Sequence, residues 1–357
     1  MLSNSMRQSI QSLYHNNLLR FRNKVIKSIL RTFQGSLSKK PIILVDVGAS
    51  GGLMANFMIL KKNLKTVGFE PDAAAYSRLA GLNRSEAVIL NQALFNKDGP
   101  IDFYINKNPV TSSLLKPDKD FLSLFPNAEA FDPVKTVGLN ATTLDTALKS
   151  NGIQDADFIK LDTQGSELFI LEGSRRTLSG CFGLEIEVEF CPVYQDQPLF
   201  CDVDAFLRKQ GYVLFDLRPV YWKRAIGLEY GKPKGQLAWA DALYFKDTKR
   251  FHESLRANDD SDKFQKTLKA VLTLAVYGYL DYALEITEGL KASVQDVEIK
   301  DNIQILERAL KKKHFANFLF RSPIIRNVIA GLFYYPYKLF RTGFEEHSIF
   351  ERDLGNL

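Results

Sequence analysis

The stretch that decides the fold lies at residues 41–57, which read PIILVDVGASGGLMANF. Four apolar residues lead into Asp46, and a small, glycine-rich turn then leads into a sequence compatible with a helix. A buried parallel strand that ends in a glycine turn is how open α/β sheets present backbone N–H groups to a nucleotide-like ligand. The turn residues that we expect near such a ligand are Gly48, Ser50, Gly51 and Gly52.

A second acid strengthens this interpretation. Glu70 follows Asp46 by 24 residues, in the sequence TVGFEPD at residues 66–72. In such folds an acid at the tip of the next strand, about 20 residues on, grips ribose hydroxyls. The turn is not GxGxxG, EPD has no nearby arginine for a 2′-phosphate, and an acid before the turn repels pyrophosphate. The pattern therefore favours S-adenosylmethionine, whose amino and sulfonium groups are positive, over NAD. A tight turn without a ligand is less favoured, because the two acids come as a pair.

Residues 41–247 alternate short β-like runs with helical stretches, which predicts βαβ crossovers and a largely parallel sheet with helices on both faces. The seven strand candidates are IILVDVG, KTVGFE, EAVILNQAL, DADFIKLD, GLEIEVEF, YVLFDL and LAWADALYFK. The last two lie close together and suit an antiparallel hairpin at one edge of the sheet. Residues 107–137 interrupt this rhythm with four prolines, and we expect a long excursion over the ligand crevice, with Ser112 and Ser113 on the substrate side.

The chain divides into three predicted regions, at residues 1–40, 41–250 and 251–357. Residues 1–40 contain eight Lys or Arg and no acid, and their apolar spacing predicts a basic amphipathic helix. The last region reads as a helical extension, with two helices over residues 259–311 and a mixed aromatic, aliphatic and basic stretch at 320–341. That stretch suits an interfacial membrane element, and a helix packed on the protein's own core is an equal alternative. Basic ends favour an anionic partner such as a membrane surface, although two solvated basic helices fit as well.

Composition bounds the class of protein. With 357 residues, 45% hydrophobic and 25% charged, the chain is long enough for one large and one smaller domain. The three cysteines form no CxxC pair, which argues against a zinc site or a disulfide framework and favours a reducing compartment. No apolar run approaches the roughly 18 residues that span a bilayer. We expect a cytoplasmic location, peripheral at the membrane if the basic ends bind there; an organellar transit peptide is a minor alternative.

The segment at residues 157–173, DFIKLDTQGSELFILEG, is the first candidate for chemistry. Its strand delivers Lys160 and Asp162 to the edge where ligands bind open α/β sheets, and their shared parity places both on one side. A salt-bridged pair at a strand end is the structural alternative. Asp162 is the first choice for the base or for the group that orients a substrate hydroxyl. No histidine lies among the strand candidates, so proton removal would fall to a carboxylate or to solvent.

The second candidate is GLEIEVEF at residues 183–190, in which Glu185, Glu187 and Glu189 alternate with apolar residues. Three acids on one face of a covered sheet are costly unless they are paired or solvated. We therefore expect Glu187 and Glu189, nearest the carboxyl end, to open into the crevice as a general base, as hydroxyl acceptors, or as metal ligands together with Asp162. Such an oxygen-only set is compatible with Mg²⁺ or Ca²⁺, although no metal site is predicted.

Six motifs, in this order, resemble the FkbM family of S-adenosylmethionine-dependent methyltransferases. They are VDVGASGG, GFEPD, ATTLD, FIKLDTQGSELFILEG, EIEVEFCPVYQDQPLF and WADALYFK, and the likeness covers roughly residues 41–246. The resemblance implies the class I methyltransferase fold, with a Rossmann-like, mostly parallel seven-stranded sheet. It also implies a cofactor pocket built from Asp46, Gly48, Ser50, Gly52, Glu70, Pro71, Asn91, Gln92 and Ala93. The family usually has Asn where this chain has Ser50.

The function implied by the resemblance is O-methylation of a hydroxyl, on a sugar, a glycan or a secondary metabolite. The acceptor would be held for in-line displacement on the donor methyl, with Asp162, Glu187, Glu189 and Lys160 as the predicted catalytic residues. A Rossmann-type NAD-dependent oxidoreductase and a non-catalytic module that binds a membrane surface stay open as alternatives. No specific nucleic-acid partner is expected.

Overall fold

A computed structural model of the chain describes residues 4–49, 54–81, 87–230 and 235–312. The strands are, in chain order, β1 (Ile42–Val47), β2 (Leu64–Phe69), β3 (Ala87–Leu90), β4 (Ala93–Leu94), β5 (Gly99–Asn106), β6 (Pro133–Thr142), β7 (Phe158–Leu161), β8 (Gly183–Glu189), β9 (Tyr212–Trp222) and β10 (Gln236–Lys246). Seven of them form one sheet in the order β3–β2–β1–β7–β8–β10–β9. The first five are parallel, and β10 runs antiparallel to both of its neighbours.

The predicted sheet is confirmed, with all seven strands and the antiparallel pair at one edge. The central strands read as continuous apolar runs because helices cover both faces of the sheet. Parallel strands β1, β2, β7 and β8 end at the same edge, which brings together side chains far apart in sequence. Asp46 lies beside Lys160, and Lys160 lies beside Glu185, in the register of three adjacent strands.

A second, three-stranded sheet was missed by the sequence analysis. Strands β4, β5 and β6 lie in the order β4–β6–β5, so the predicted strand EAVILNQAL is divided between the two sheets. The residues of β6 alternate between exposed and half-buried positions, which gives little apolar contrast in sequence. Pro133 opens this strand, where a missing N–H costs no ladder hydrogen bond. The predicted excursion lies between β5 and β6. It places Thr111 and Ser112 beside a cavity.

The helices are α1 (Asn4–Thr32), α2 (Gln34–Lys39), α3 (Ala73–Ala80), α4 (Lys119–Leu122), α5 (Leu144–Ser150), α6 (Glu167–Glu172), α7 (Arg175–Gly180), α8 (Phe200–Lys209), α9 (Thr248–Ser254), α10 (Asp260–Tyr277), α11 (Leu280–Lys291) and α12 (Val297–Leu310). Residues 259–311 were predicted as two helices and contain three. Helix α10 ends at Tyr277, and Gly278 caps it. Gly278 has a φ of 93°, in the left-handed conformation that glycine adopts without strain. The two predicted helices, with apolar spacing over residues 268–275 and 279–290, correspond to α10 and α11, and α12 is the helix that was not predicted.

Helices α1, α10, α11 and α12 pack together on one face of the sheet. The buried side chains of α1, among them Val25 and Ile29, belong to the same apolar cluster as Leu44 of β1 and Leu268 of α10. Burying each such side chain contributes about 1.5–3 kcal/mol. Over residues 21–30, the apolar side of α1 is therefore occupied by the protein's own core.

Two observations concern the ends of the chain. In the part of the chain that the structure describes, no helix combines the length and the apolar character needed to cross a membrane. The stretch at 320–341 lies outside the described residues. The division of the chain at residues 40 and 250 stays a prediction.

Candidate active site

A cavity of about 780 Å³ lies at the carboxyl edge of the main sheet, where β1, β2, β7 and β8 end. Ligands bind open α/β sheets at this edge, and the volume lies in the range of small-molecule sites. The lining residues that the sequence singled out are Gly48, Glu70, Pro71, Gln92, Ala93, Ser112, Asp162, Glu187 and Glu189. Most of the predicted site residues thus meet at one cavity, and their roles there stay predictions.

Gly48 closes the tip of β1 against the tip of β7. Its N–H donates to the carbonyl of Phe69 at 3.1 Å, and the N–H of Asp162 donates to the carbonyl of Val47 at 3.1 Å. The φ of Gly48 is 80°, and a Cβ atom on this residue would lie 1.9 Å from the carbonyl oxygen of Asp162. This position therefore requires glycine, both for its backbone conformation and for the close approach of the two strands.

Asp46 lies behind this turn and is 2% exposed. Its Oδ1 has no hydrogen-bond partner among the described residues. Burial raises the pKa of Asp46 to about 6, while the positive charge of Lys160 opposes the rise and the charge of Asp162 adds to it. A buried carboxylate with an unused oxygen can accept a positively charged group. Two predicted neighbours, Ser50 and Gly52, lie outside the described residues.

Glu70 lies at the tip of β2 and is buried against the cavity. Its Oε1 accepts the N–H of Asp72 at 2.9 Å, and burial raises its pKa. Asn91 is not among the lining residues. It instead holds the turn after β2, because its Nδ2 donates to the carbonyls of Glu70 at 2.9 Å and Pro71 at 3.2 Å. Asn91 thus supports the site from behind.

Lys160 and Asp162 form the predicted pair on one side of β7. The Nζ of Lys160 lies 3.0 Å from Oδ2 of Asp162. Burial lowers the pKa of Lys160, but the negative charges of Asp162 and Asp46 outweigh it, and the pKa lies above its ordinary value. Lys160 is therefore a fixed cation between two carboxylates. Asp162 lines the cavity, whereas Lys160 stands behind it.

Gln164 connects Asp162 to the next strand, a role that the sequence analysis missed. Its Nε2 donates to Oε1 of Glu187 at 2.6 Å and to Oδ1 of Asp162 at 3.3 Å. Its carbonyl accepts the hydroxyl of Ser113 at 2.7 Å, and its Oε1 accepts the hydroxyl of Tyr194 at 3.3 Å. Gln164 has a φ of 59°, an uncommon value for a residue other than glycine. Such backbone strain is often found at functional sites. In the sequence, the TQG turn was the one place where such strain could have been sought.

Glu187 and Glu189 line the cavity although each is less than one-tenth exposed. Burial raises the pKa of Glu187 well above its ordinary value, and the negative charge of Asp162 adds to the rise. Burial also raises the pKa of Glu189, and the charge of Glu167 adds to it. Both groups therefore hold a proton more tightly than ordinary carboxyls.

The third acid of β8, Glu185, lies away from the cavity. Its Oε2 accepts the hydroxyl of Tyr277, at the end of α10, at 2.7 Å. Burial raises the pKa of Glu185 to about 7, and this hydrogen bond opposes the rise. Glu167, at the start of α6, holds the turn before it, accepting the N–H groups of Thr163 at 2.6 Å and Gly165 at 2.9 Å.

Aromatic side chains also line the cavity. Both tryptophans of the chain, Trp222 and Trp239, line it, together with Phe131 and Tyr194. The ring of Phe131 lies edge-on to Trp222, with centroids 6.0 Å apart, and to Tyr194 at 6.1 Å. The sequence analysis did not single out these residues, which come from four separate segments. The scarcity of tryptophan was the available signal.

The cavity is mostly acidic in its ionisable groups. Among the described lining residues, Arg78 of α3 is the one cation, a residue the sequence analysis had not placed near the ligand. The acids that line it are Glu70, Asp72, Asp162, Glu187 and Glu189. Within the described residues, no three His, Cys, Asp or Glu side chains are grouped so that they could hold a metal ion.

Comparison with known proteins points to one family. Residues 46–214 match the model of the methyltransferase FkbM domain. A curated relative, the 2-O-methyltransferase NoeI of Sinorhizobium fredii (strain NBRC 101917 / NGR234), is 26% identical over 177 residues. The match covers 46% of this chain and 68% of NoeI.

Solved structures are more distant. The precorrin-6y C5,15-methyltransferase of Geobacter metallireducens GS-15 gives a TM-score of 0.31 at 12% identity, over 61% of this chain and 87% of that protein. A TehB-like methyltransferase of Corynebacterium glutamicum ATCC 13032 gives 0.28 at 13% identity, over 68% of this chain and all (100%) of that one. TM-scores this low support no conclusion about this chain. The family match agrees with the predicted motifs and opposes the dehydrogenase alternative. Residues 46–214 of this chain are thus a methyltransferase domain of the FkbM type.

Proposed function

We propose that this enzyme transfers the methyl group of S-adenosylmethionine to a hydroxyl oxygen of an uncharged, hydroxyl-rich acceptor, a sugar or glycan being the class that fits best. The observation that carries the proposal is the position of Asp162. This carboxylate lies between the predicted cofactor residues at the tips of β1 and β2 and the carboxylates and aromatic rings at the tips of β8, β9 and β10.

The predicted donor side fits the cofactor. The buried Oδ1 of Asp46, which lacks a partner among the described residues, would accept the positively charged amino group. Gly48 lets the backbone approach the ligand, and Glu70 lies where ribose hydroxyls are gripped in such folds. When bound, S-adenosylmethionine supplies an electrophilic methyl group on a sulfonium.

Asp162 is positioned to orient the acceptor hydroxyl. Lys160 holds its Oδ2 at 3.0 Å and Gln164 holds its Oδ1 at 3.3 Å, so the carboxylate has one orientation. A hydroxyl that donates to this carboxylate would be held beside the predicted donor residues. Orientation of this kind can supply several kcal/mol of an enzyme's rate acceleration, about 7–11 kcal/mol in the best intramolecular cases.

The proton released by the hydroxyl needs an acceptor. Glu187 and Glu189 border the cavity beside Asp162, and burial raises the pKa of both. Gln164 joins Glu187 to Asp162 through its Nε2, which fixes the two carboxyls relative to each other. We assign orientation of the hydroxyl to Asp162 and proton uptake to the glutamates of β8.

The lining favours a neutral acceptor. Aromatic rings such as Trp222 and Trp239 offer flat apolar surface to the C–H face of a sugar ring, while carboxylates accept its hydroxyls. The described lining contains five acidic residues and one cation, Arg78. This excess of acidic groups disfavours an acceptor that carries a phosphate or a nucleotide. NoeI, the curated relative, is named a 2-O-methyltransferase, which supports a hydroxyl acceptor.

The test is transfer of labelled methyl from S-adenosylmethionine to two matched panels. One panel holds neutral mono- and oligosaccharides, and the other holds the same sugars as phosphates or nucleotide conjugates. We expect methylated product from the neutral panel, with the new O-methyl position assigned by mass spectrometry. Product only from the phosphorylated panel would refute the acceptor class, and calorimetric binding of NAD in place of S-adenosylhomocysteine would refute the donor.

A further inference from the structure

We propose that the exposed side of helix α1 is a docking face for an anionic membrane surface. The face consists of four cations on α1, with a fifth from the end of α12 beside them, and is called the basic stripe below. Its members are Arg20, Lys24, Lys27, Arg31 and Lys312. The proposal is independent of the acceptor and goes beyond methyl transfer.

The four α1 cations share one side of the helix. They are spaced by four, three and four residues, which places them in one row about 16 Å long at 1.5 Å rise per residue. All four are exposed, whereas Val25, Ile26 and Ile29 on the opposite side are fully buried. Residues 20–31 of α1 therefore present charge outward while the apolar side of the same segment packs on the core.

The charges of the stripe are not neutralised within the described part of the protein. No ion pair is seen there for the four α1 cations, and residues 1–40 contain no acid that could provide one locally. Lys40 shows the contrast, because it pairs with Asp262 at 2.5 Å. A row of uncompensated cations attracts anionic surfaces within about 10 Å at ordinary salt.

The course of the chain selects a membrane as the partner. The Nζ of Lys312 donates to the hydroxyl of Ser28, on α1 between Lys27 and Arg31, at 2.8 Å. The described chain thus ends at the stripe, and residues 313–341 continue from it. That segment is rich in Phe, Tyr, Ile and Leu, carries Lys and Arg, and contains no Asp or Glu. Basic residues mixed with bulky apolar ones are typical of segments at a membrane interface, whereas nucleic-acid grooves need no such aliphatic content.

The geometry sets the kind of binding. Because the apolar side of α1 is buried in the core over residues 21–30, this segment contributes electrostatic attraction rather than insertion. Each Lys or Arg near an anionic leaflet changes the binding constant about fivefold, corresponding to about 1 kcal/mol. Binding through the stripe therefore depends on anionic lipid and weakens with salt.

The test is sedimentation of the full chain with phosphatidylcholine vesicles, with and without phosphatidylserine. The variant is the triple substitution Lys24→Gln, Lys27→Gln and Arg31→Gln. We expect the wild-type chain to bind only the anionic vesicles, and the variant to bind them about 100-fold more weakly, from three fivefold steps. The conservative variant Lys24→Arg with Lys27→Arg should bind as the wild type does, and circular dichroism should show all chains equally folded.

A matched control, Lys107→Gln with Lys135→Gln and Lys149→Gln, removes three exposed cations elsewhere on the protein. Its net charge equals that of the triple variant of the basic stripe. It should keep nearly all of the vesicle binding. Equal loss in the control would mean that net charge alone acts, and failure of the wild type to bind anionic vesicles would overturn the proposal. Tighter binding of the wild type to duplex DNA or RNA at the same salt would overturn it in favour of a nucleic-acid face.

Discussion

Replacing Gly48 with alanine probes the junction on which the predicted cofactor site depends. A Cβ at this position would lie 1.9 Å from the carbonyl oxygen and 2.9 Å from the carbonyl carbon of Asp162, which are backbone atoms of the β7 tip. Moving them strains the hydrogen bond from the N–H of Asp162 to Val47. The left-handed φ costs alanine about 1–2 kcal/mol, and overpacking of this kind costs about 1–3 kcal/mol. We expect Gly48→Ala to lose about 2–5 kcal/mol of unfolding free energy, against a typical total of about 5–15 kcal/mol.

Two other glycines separate the causes. Gly99 has a φ of 144° but no atom within 4 Å of a built Cβ, so Gly99→Ala carries backbone strain without a clash. Gly138 has open space and an ordinary φ, so Gly138→Ala should be neutral or slightly stabilising. Guanidinium unfolding measures all three, and calorimetry with S-adenosylhomocysteine measures the site. We expect the order of loss Gly48 above Gly99 above Gly138, with cofactor binding reduced only by Gly48→Ala.

Two outcomes would refute the expected role of Gly48. If Gly48→Ala unfolds at the same guanidinium concentration as Gly138→Ala and binds S-adenosylhomocysteine equally well, the two strand tips are not held in close contact. If Gly48→Ala is as destabilised as expected but keeps its affinity, the turn is structural and the cofactor residues lie elsewhere.

Two further predictions concern buried groups. Burial raises the pKa of Asp46 from 3.8 to about 6, so the folded state binds this proton more tightly than the unfolded state. This group's contribution to stability is therefore greatest at low pH and falls by roughly 3 kcal/mol as the pH rises from about 4 to about 6. Asp46→Asn should remove that part of the pH dependence of the unfolding free energy, measured by guanidinium titrations at several pH values. An unchanged profile would show that burial does not raise the pKa of Asp46 in the folded state. Tyr277→Phe should lose about 1–3 kcal/mol because Oε2 of Glu185 loses its buried donor. The exposed Tyr221→Phe, measured the same way, should lose almost nothing, and equal losses would contradict the buried contact.

The strand-tip residues could be predicted from the sequence because they follow from two simple periodicities. Asp46 and Glu70 end apolar runs, and the parallel sheet brings those ends together. Lys160 and Asp162 share strand parity, which predicts their contact. These inferences need only local pattern and the rule that ligands bind at the carboxyl edge.

The remaining site residues depend on contacts between distant segments. Tyr194 reaches Gln164 across 30 residues, and Trp222 reaches the cavity through the register of β9 on β10. Neither contact has a local signature. The second sheet was missed because β6 alternates between exposed and half-buried residues, so its apolar contrast is weak.

The ends of the chain show a different limit. The apolar spacing within residues 1–40 predicted an amphipathic helix, and α1 (Asn4–Thr32) lies there. The pattern alone could not say whether its apolar side faces a membrane or the protein, because both partners are apolar. Val25 and Ile29 are buried within the protein, so at these residues the apolar side of α1 faces the core.

The most direct test of the central claim compares Asp162→Asn with the wild type in methyl transfer and in cofactor binding. Asp102→Asn, an exposed change of the same chemistry on β5, is the control. We expect Asp162→Asn to bind S-adenosylhomocysteine with nearly wild-type affinity and to transfer methyl about 100-fold or more slowly, because the acceptor hydroxyl is no longer oriented. Full transfer activity in Asp162→Asn with unchanged cofactor binding would contradict the account.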